Sequence, residues 1–444
     1  MNLNRRDLLK LAAALPFSNS TLAQVKPDVI IIGAGVAGLA AAQRLTTKGA
    51  KVLILEARNR IGGRVWTDSR LGFPLEMGAQ WIHGTKNNPI ATLAKQNNLS
   101  TRITDFERVT TFTEQGEISA RLEQEIERHF EDLTERIDNH PSRDDSSQSL
   151  RNTINAVKPS LRLNAVQDRN LEYGINANIE HEYAEDVENL STRFYDDADE
   201  DQGDDLIIQK GYSQIPQILA RGLEIRFETI VSSVEYNSGG VKISTNQGVF
   251  EAFEAIITVP LGVLKRGAIK FIPELPTAKT RAISNLGFGV LDKTILRFPK
   301  NFWADAEADL IAFIGQTRGQ WAETYDLSAV TGEPVLVMFN AGGTARGFAK
   351  QNETSVVSSA LQTLRTMFGK IPEPSANLLT RWSNDPFTWG SYSSLQAGST
   401  PADIAGLAAP IGRLHFAGEA TSRAHLATVH GALQSGQRAA DEIR

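Results

Sequence analysis

No cysteine occurs in the 444 residues, which excludes disulfides, thiolate metal sites and any thioether tether to a cofactor. Histidine is scarce too, and the seven present show no close metal-ligand spacing, so no metal site is expected. No stretch approaches the ~20 apolar residues that a bilayer span requires, so no stable membrane span is expected. Positive charge is not in excess either. The formal net charge of −6 argues against nucleic acid as a general partner and is compatible with a cationic substrate. What the chain does have is length: 444 residues at 41% hydrophobic suffice for two or three packed units, so a single small module cannot account for it.

Residues 1–24 read as an export leader. Asn4-Arg5-Arg6-Asp7-Leu8-Leu9-Lys10 precedes the apolar Leu11 to Phe17, and Thr21-Leu22-Ala23 offers a small-residue cleavage site. The paired arginines make it similar to a twin-arginine signal, a route that carries folded proteins. An exported, periplasmic location is therefore expected.

The chain is organised around Asp28 to Arg64. Val29 to Ile32 is a run suited to a strand buried on both faces, and it leads directly into Gly33-x-Gly35-x-x-Gly38. Gly33 permits a tight turn, Gly35 lets backbone approach a pyrophosphate, and Gly38 lets the following helix pack closely. That helix ends at Gly49. A second apolar strand, Val52 to Leu55, delivers Glu56 about 18 residues after the last glycine, in reach of a ribose hydroxyl. Strand, helix, second strand and acid fall in order, as a dinucleotide site requires. The run then continues as Arg58-x-x-x-Gly62-Gly63-Arg64, a Gly-Gly turn bracketed by arginines that suit a diphosphate.

This stretch resembles the flavin-dependent amine oxidases, which share the glycine fingerprint followed by E-A-R-x-R-x-G-G-R. The resemblance implies FAD, with Glu56 on the ribose and Arg58, Gly63 and Arg64 on the rest of the cofactor. Gly78-Ala79-Gln80-Trp81-Ile82-His83-Gly84 has the form seen in spermine and acetylpolyamine oxidases; it would run along the flavin ring and turn His83 toward the substrate entrance. Val231 matches the residue whose backbone meets the adenine. Lys293 opens a core strand, where an ammonium is costly unless hydrated or paired, and it matches the lysine that holds a water against flavin N5. Trp382 and Tyr392 match two recurrent aromatics, Tyr392 as one wall of the amine channel. Ser391 stands where monoamine oxidases carry their flavin-linking cysteine, so FAD is expected to be non-covalent. Gly418 and Glu419 belong to the closing motif. The N-terminus of a last helix, at Thr428 and Val429, would face the flavin pyrimidine edge and stabilise negative charge there. Thr428 replaces a second cage tyrosine, implying a wider channel.

The implied fold is α/β: a discontinuous Rossmann-like FAD-binding domain (25–96, 206–285 and 393–444) and an inserted α+β substrate-binding domain (97–205 and 286–392). The implied reaction moves hydride from the carbon beside an uncharged amine to N5, after which water hydrolyses the imine and O2 or another electron acceptor reoxidises the flavin. Polyamines such as spermine and spermidine are the expected small-molecule substrates. The strongly acidic run from Glu180 to Asp205 reads either as a solvated face or as carboxylates that draw in a polycation. Three alternatives stand beside this: an L-amino-acid oxidase or other monoamine enzyme, a histone demethylase, and a flavin-retaining protein without activity. The first would need a cation for the substrate carboxylate, which the matched channel segments do not clearly offer. The second fits poorly with export and with the lack of a long helical insertion.

Overall fold

The computed structural model describes residues 26–199, 201–306 and 308–443; the expected leader therefore lies outside the described residues. Val29–Ile32 is the central strand of a five-stranded parallel sheet. Its order is Glu224–Arg226, Val52–Leu55, Val29–Ile32, Glu254–Ile257 and Leu414–Phe416. All four residues of Val29–Ile32 are buried because both faces of the sheet are covered. Val29, Ile31, Ile54 and Ile256 face a helical layer, whereas Ile30, Ile32, Leu55 and Ile257 face a smaller four-stranded sheet built from residues 231–272.

The helical layer holds the first helix, Val36–Thr47, against the last, Val429–Glu442. Gly436 makes that contact possible, since a Cβ there would stand 2.1 Å from the carbonyl oxygen of Ala37. The small and apolar face of Leu433, Gly436 and Ala440 is thus buried between these two helices, with Val429 partly buried beside it.

A second, seven-stranded sheet runs in the order Ala376–Leu379, Leu291–Arg297, Val335–Ala341, Glu323–Asp326, Leu310–Phe313, Val109–Thr113 and Gly116–Glu117. Only the pairing of Leu310–Phe313 with Val109–Thr113 is parallel. One face packs on the helix Glu353–Phe368 through Val356, Ala360, Leu361 and Leu364. The other packs through Ile295, Tyr325, Val337 and Phe339 onto Leu75, Met77 and Trp81. The helices Ala120–Asp138, Leu150–Val157 and Ala165–Ile175 form a separate apolar cluster beside it. No helix among the described residues is long and apolar enough to cross a membrane.

Candidate active site

The glycine fingerprint is shaped by absent side chains. Gly33 has φ +110°, and a Cβ there would lie 2.7 Å from the Thr258 hydroxyl; one on Gly38 would lie 2.0 Å from the Gly33 carbonyl. Gly35 differs: nothing stands within 4 Å of where its Cβ would be, so the open space lies in front of the first helix. Gly35 is that helix's N-cap and supplies no side chain to its free N–H groups. Gly62 and Gly63 close the other wall of this cradle, with the Gly62 amide donating to the Ala34 carbonyl at 2.8 Å.

Glu56 is buried beneath the loop, accepting from the amides of Ala34 (2.7 Å) and Arg58 (2.8 Å). Burial pushes its carboxyl upward despite those two donors. Arg58 pairs with Asp385 at 2.6 Å and stacks on Phe387, and Arg64 bridges the Glu419 carboxylate (2.7 Å) and the Ser391 carbonyl (2.8 Å). Glu419 also accepts from the Ala427 and Ser393 amides, so Arg64, Ser393 and the start of the last helix meet at one carboxylate. Thr428 caps that helix by accepting from the Gly431 amide at 2.9 Å, and Val429 is its first residue. Gly418 leads into this turn, its amide donating to Ser435. Val231 begins its strand at a β-bulge, behind the Glu56 loop.

Lys293 lies on an interior strand of the seven-stranded sheet, second in its order, rather than at an edge. It is 4% exposed, so its ammonium must find partners inside the protein. Nζ donates to the carbonyls of Glu76 (3.0 Å) and Gly78 (2.8 Å) and to the Gln80 side chain (2.9 Å). Burial pulls its pKa down, opposed by the nearby Glu76, whose own carboxyl burial pushes up. Trp382 holds the same segment from another side: its indole donates to the Met77 carbonyl at 3.1 Å, and its amide donates to the buried Asp292 at 2.9 Å. Residues 76–80 are thus laid between Arg64, whose carbonyl accepts from the Ala79 amide, and Lys293. Trp81 packs beyond them on Tyr325 and Phe339.

Tyr392 is half-buried and donates its hydroxyl to the His181 carbonyl at 2.8 Å. Ser391 exchanges both hydrogen bonds of its hydroxyl with the Leu291 backbone. His83 sits apart from Lys293, with 45% of its side chain exposed and Nδ1 3.3 Å from Asp205. Burial of its packed edge lowers its pKa, but Asp205, Glu182 and Asp201 outweigh that and the net shift is upward.

Two further residues belong to this face and carry no motif. The cross-strand register Lys293↔Phe339↔Glu323 sets Glu323 two strands from Lys293 on the same side of the sheet. Its carboxylate lies 2.5 Å from Nδ1 of His181, the residue whose carbonyl holds Tyr392. A π-helical turn, Asn176–Glu180, presents His181. Arg318 and Arg346, the nearby arginines, are each tied to a glutamate, Glu180 and Glu185 respectively. Arg60 stands two residues from Arg58 in the same run and donates to the Gly63 carbonyl at 2.8 Å. Its buried Nη2 and the Nε2 of Gln80 find no partner among the described residues.

The site fits a dinucleotide flavin. A cradle with no side chain at Gly35, an open helix N-terminus, a ribose-height acid and two buried unpartnered donors, on Arg60 and Gln80, lie along one path from the parallel sheet to Lys293. Residues 36–444 match the family model of flavin containing amine oxidoreductases. The chain is 36% identical to polyamine oxidase 4 of Oryza sativa subsp. japonica, over 94% of this chain and 88% of that one. It is equally 36% identical to lysine-specific histone demethylase 1 homolog 1 of Arabidopsis thaliana, but spans only 52% of that protein. In fold it is similar to a putrescine oxidase solved with putrescine, with a TM-score of 0.78 at 22% identity, covering 94% of this chain and 99% of that one. The cradle, the buried lysine and these likenesses agree: the chain belongs to the flavin containing amine oxidoreductases, and FAD is its cofactor.

Proposed function

We propose that the protein oxidises polyamines. The observation that carries this reading is the sign of the charge around the substrate face. Glu323 stands on the Lys293 side of the sheet, Asp205, Glu182 and Asp201 surround His83, and the arginines Arg318 and Arg346 are bound to glutamates. Such a lining favours a ligand with several ammonium groups and offers poor binding to the carboxylate of an α-amino acid. The polyamine oxidase relatives match over 88% of their length, whereas the demethylase homologues extend to nearly twice this chain.

When bound, FAD supplies the two-electron acceptor for the C–N bond. The protein's own residues do the rest. Tyr392 and Trp81 provide aromatic walls, and Lys293 fixes residues 76–80 through its three hydrogen bonds. The buried faces around Phe339 and Trp81 exclude bulk water.

The test is anaerobic mixing of the holoenzyme with spermine, spermidine, putrescine, benzylamine and a set of L-amino acids while oxidised-flavin absorbance is followed. Polyamines are expected to bleach the flavin at least tenfold faster than the rest. Equal or faster reduction by an amino acid would transfer the assignment to an amino-acid oxidase.

A further inference from the structure

Beside the active site, three side chains from two distant parts of the sequence converge on one point, and one of them, Asp201, also acts on His83 at the edge of the substrate face. Asp201 precedes the strand Asp205–Ile208, His425 lies in the loop before the last helix, and His430 is in that helix's first turn. Oδ1 of Asp201 stands 3.1 Å from Nε2 of His430 and 3.6 Å from Nδ1 of His425, and all three donor atoms lie within 4.8 Å of one another. Both ring nitrogens are buried without a hydrogen-bond partner among the described residues, and His430 is 3% exposed.

Unpaired imidazole nitrogens aimed at one carboxylate oxygen leave buried polar atoms unsatisfied, a cost that a cation between them would remove. The spacing suits a small one. Donors of a tetrahedral zinc ion, bound at about 2.0–2.1 Å, stand about 3.3 Å apart, close to two of the three separations present. Two nitrogens and one carboxylate select a borderline transition ion over calcium or magnesium, which take oxygen. The backbone already brings the two loops together: the Asp199 amide donates to the Ala424 carbonyl at 2.9 Å, and Arg423 pairs with Asp197.

We infer that Asp201, His425 and His430 form a binding site for a divalent transition-metal ion, zinc foremost, that staples the acidic loop to the C-terminal helix. It is a three-ligand site whose fourth position a water would take. One neighbour restrains it. Asn88 commits its Oδ1 to the Ile90 amide and its Nδ2 to the His83 carbonyl, each at 2.8 Å, and that same Nδ2 stands 3.4 Å from Nδ1 of His430. A metal on Nε2 places the ring proton on Nδ1, where it meets an amide hydrogen rather than an acceptor. The contact is long, so this opposition weakens the site without abolishing it.

Untagged holoenzyme, treated with chelator and dialysed, is titrated calorimetrically with zinc, and bound metal is counted after dialysis. One equivalent per chain is expected. Asp201→Asn and His425→Ala, both away from the buried core of the helix, should each weaken zinc at least tenfold while the flavin stays bound. Zinc that binds no better to the wild type than to Asp201→Asn or His425→Ala would overturn the site.

Discussion

The two sheets of this protein solve opposite problems. The parallel sheet must let a large anionic cofactor reach the backbone, and it does so by leaving side chains out at Gly33, Gly35 and Gly38. The seven-stranded sheet must keep polar groups beside the reacting atoms, so it buries charged side chains, Lys293 and Asp292, with Lys293 donating to two carbonyls and the Gln80 oxygen and Oδ1 of Asp292 accepting from Thr380 and the Trp382 amide. One region is therefore fragile to added atoms and the other to removed ones.

The largest effect should come from adding a single methyl to the first region. In Gly38→Ala the new Cβ would lie 2.0 Å from the Gly33 carbonyl, where the helix cannot yield without moving off the sheet. Overpacking of this kind costs about 1–3 kcal/mol or more, and the variant is expected to lose flavin and to unfold at a markedly lower temperature. Gly35→Ala separates the two roles of the loop. Its Cβ meets no protein atom within 4 Å, so the apoprotein should melt as the wild type does while FAD affinity falls tenfold or more. Thermal scans of both apoproteins, with flavin titrations, check the pair. Equal loss of stability in the two would remove the distinction between packing and cofactor access.

Removal of a group is the matching test in the second region. Lys293→Met fills much the same volume but leaves the Glu76 and Gly78 carbonyls and the Gln80 oxygen without their shared donor. Single-turnover flavin chemistry is expected to slow by ~10-fold or more, about 1.4 kcal/mol at the transition state. Stability should fall as well, since buried acceptors are left unpaired. A flavin-loaded variant with both half-reactions unchanged would make Lys293 purely structural.

The same contrast governs what could be read in the chain. Strand, glycine turn, helix, second strand and Glu56 are neighbours within 29 residues, and each has a local physical reason, so the first half of the dinucleotide sheet was legible from periodicity and glycine spacing. The cost of burying Lys293 was legible too, but not its solution, because Glu76, Gly78 and Gln80 lie more than 200 residues away. Glu323 and His181 carried no signal: a glutamate in an alternating strand and a histidine in an acidic run acquire meaning only from strand register. For the same reason the histidines appeared unrelated in spacing, although His425 and His430 meet through a turn with their rings 4.4 Å apart.

Glu323 makes the smallest but most specific prediction. Its carboxylate is two strands from Lys293, about 10 Å between backbones at ordinary strand spacing, and 20% of its side chain is open. A polyamine, with amines set at intervals along a flexible chain, can place one nitrogen near Lys293 and another at Glu323; benzylamine cannot. Glu323→Gln keeps the shape and an acceptor for His181 but removes the charge, which bears on binding the second ammonium rather than on the bond that breaks. The expected result is a KM for spermidine raised about tenfold with kcat little changed, and no change for a monoamine substrate. Should kcat fall instead, with KM held, the dyad would act through Tyr392, whose hydroxyl rests on the His181 carbonyl, and the carboxylate would be a positioning group for the aromatic wall.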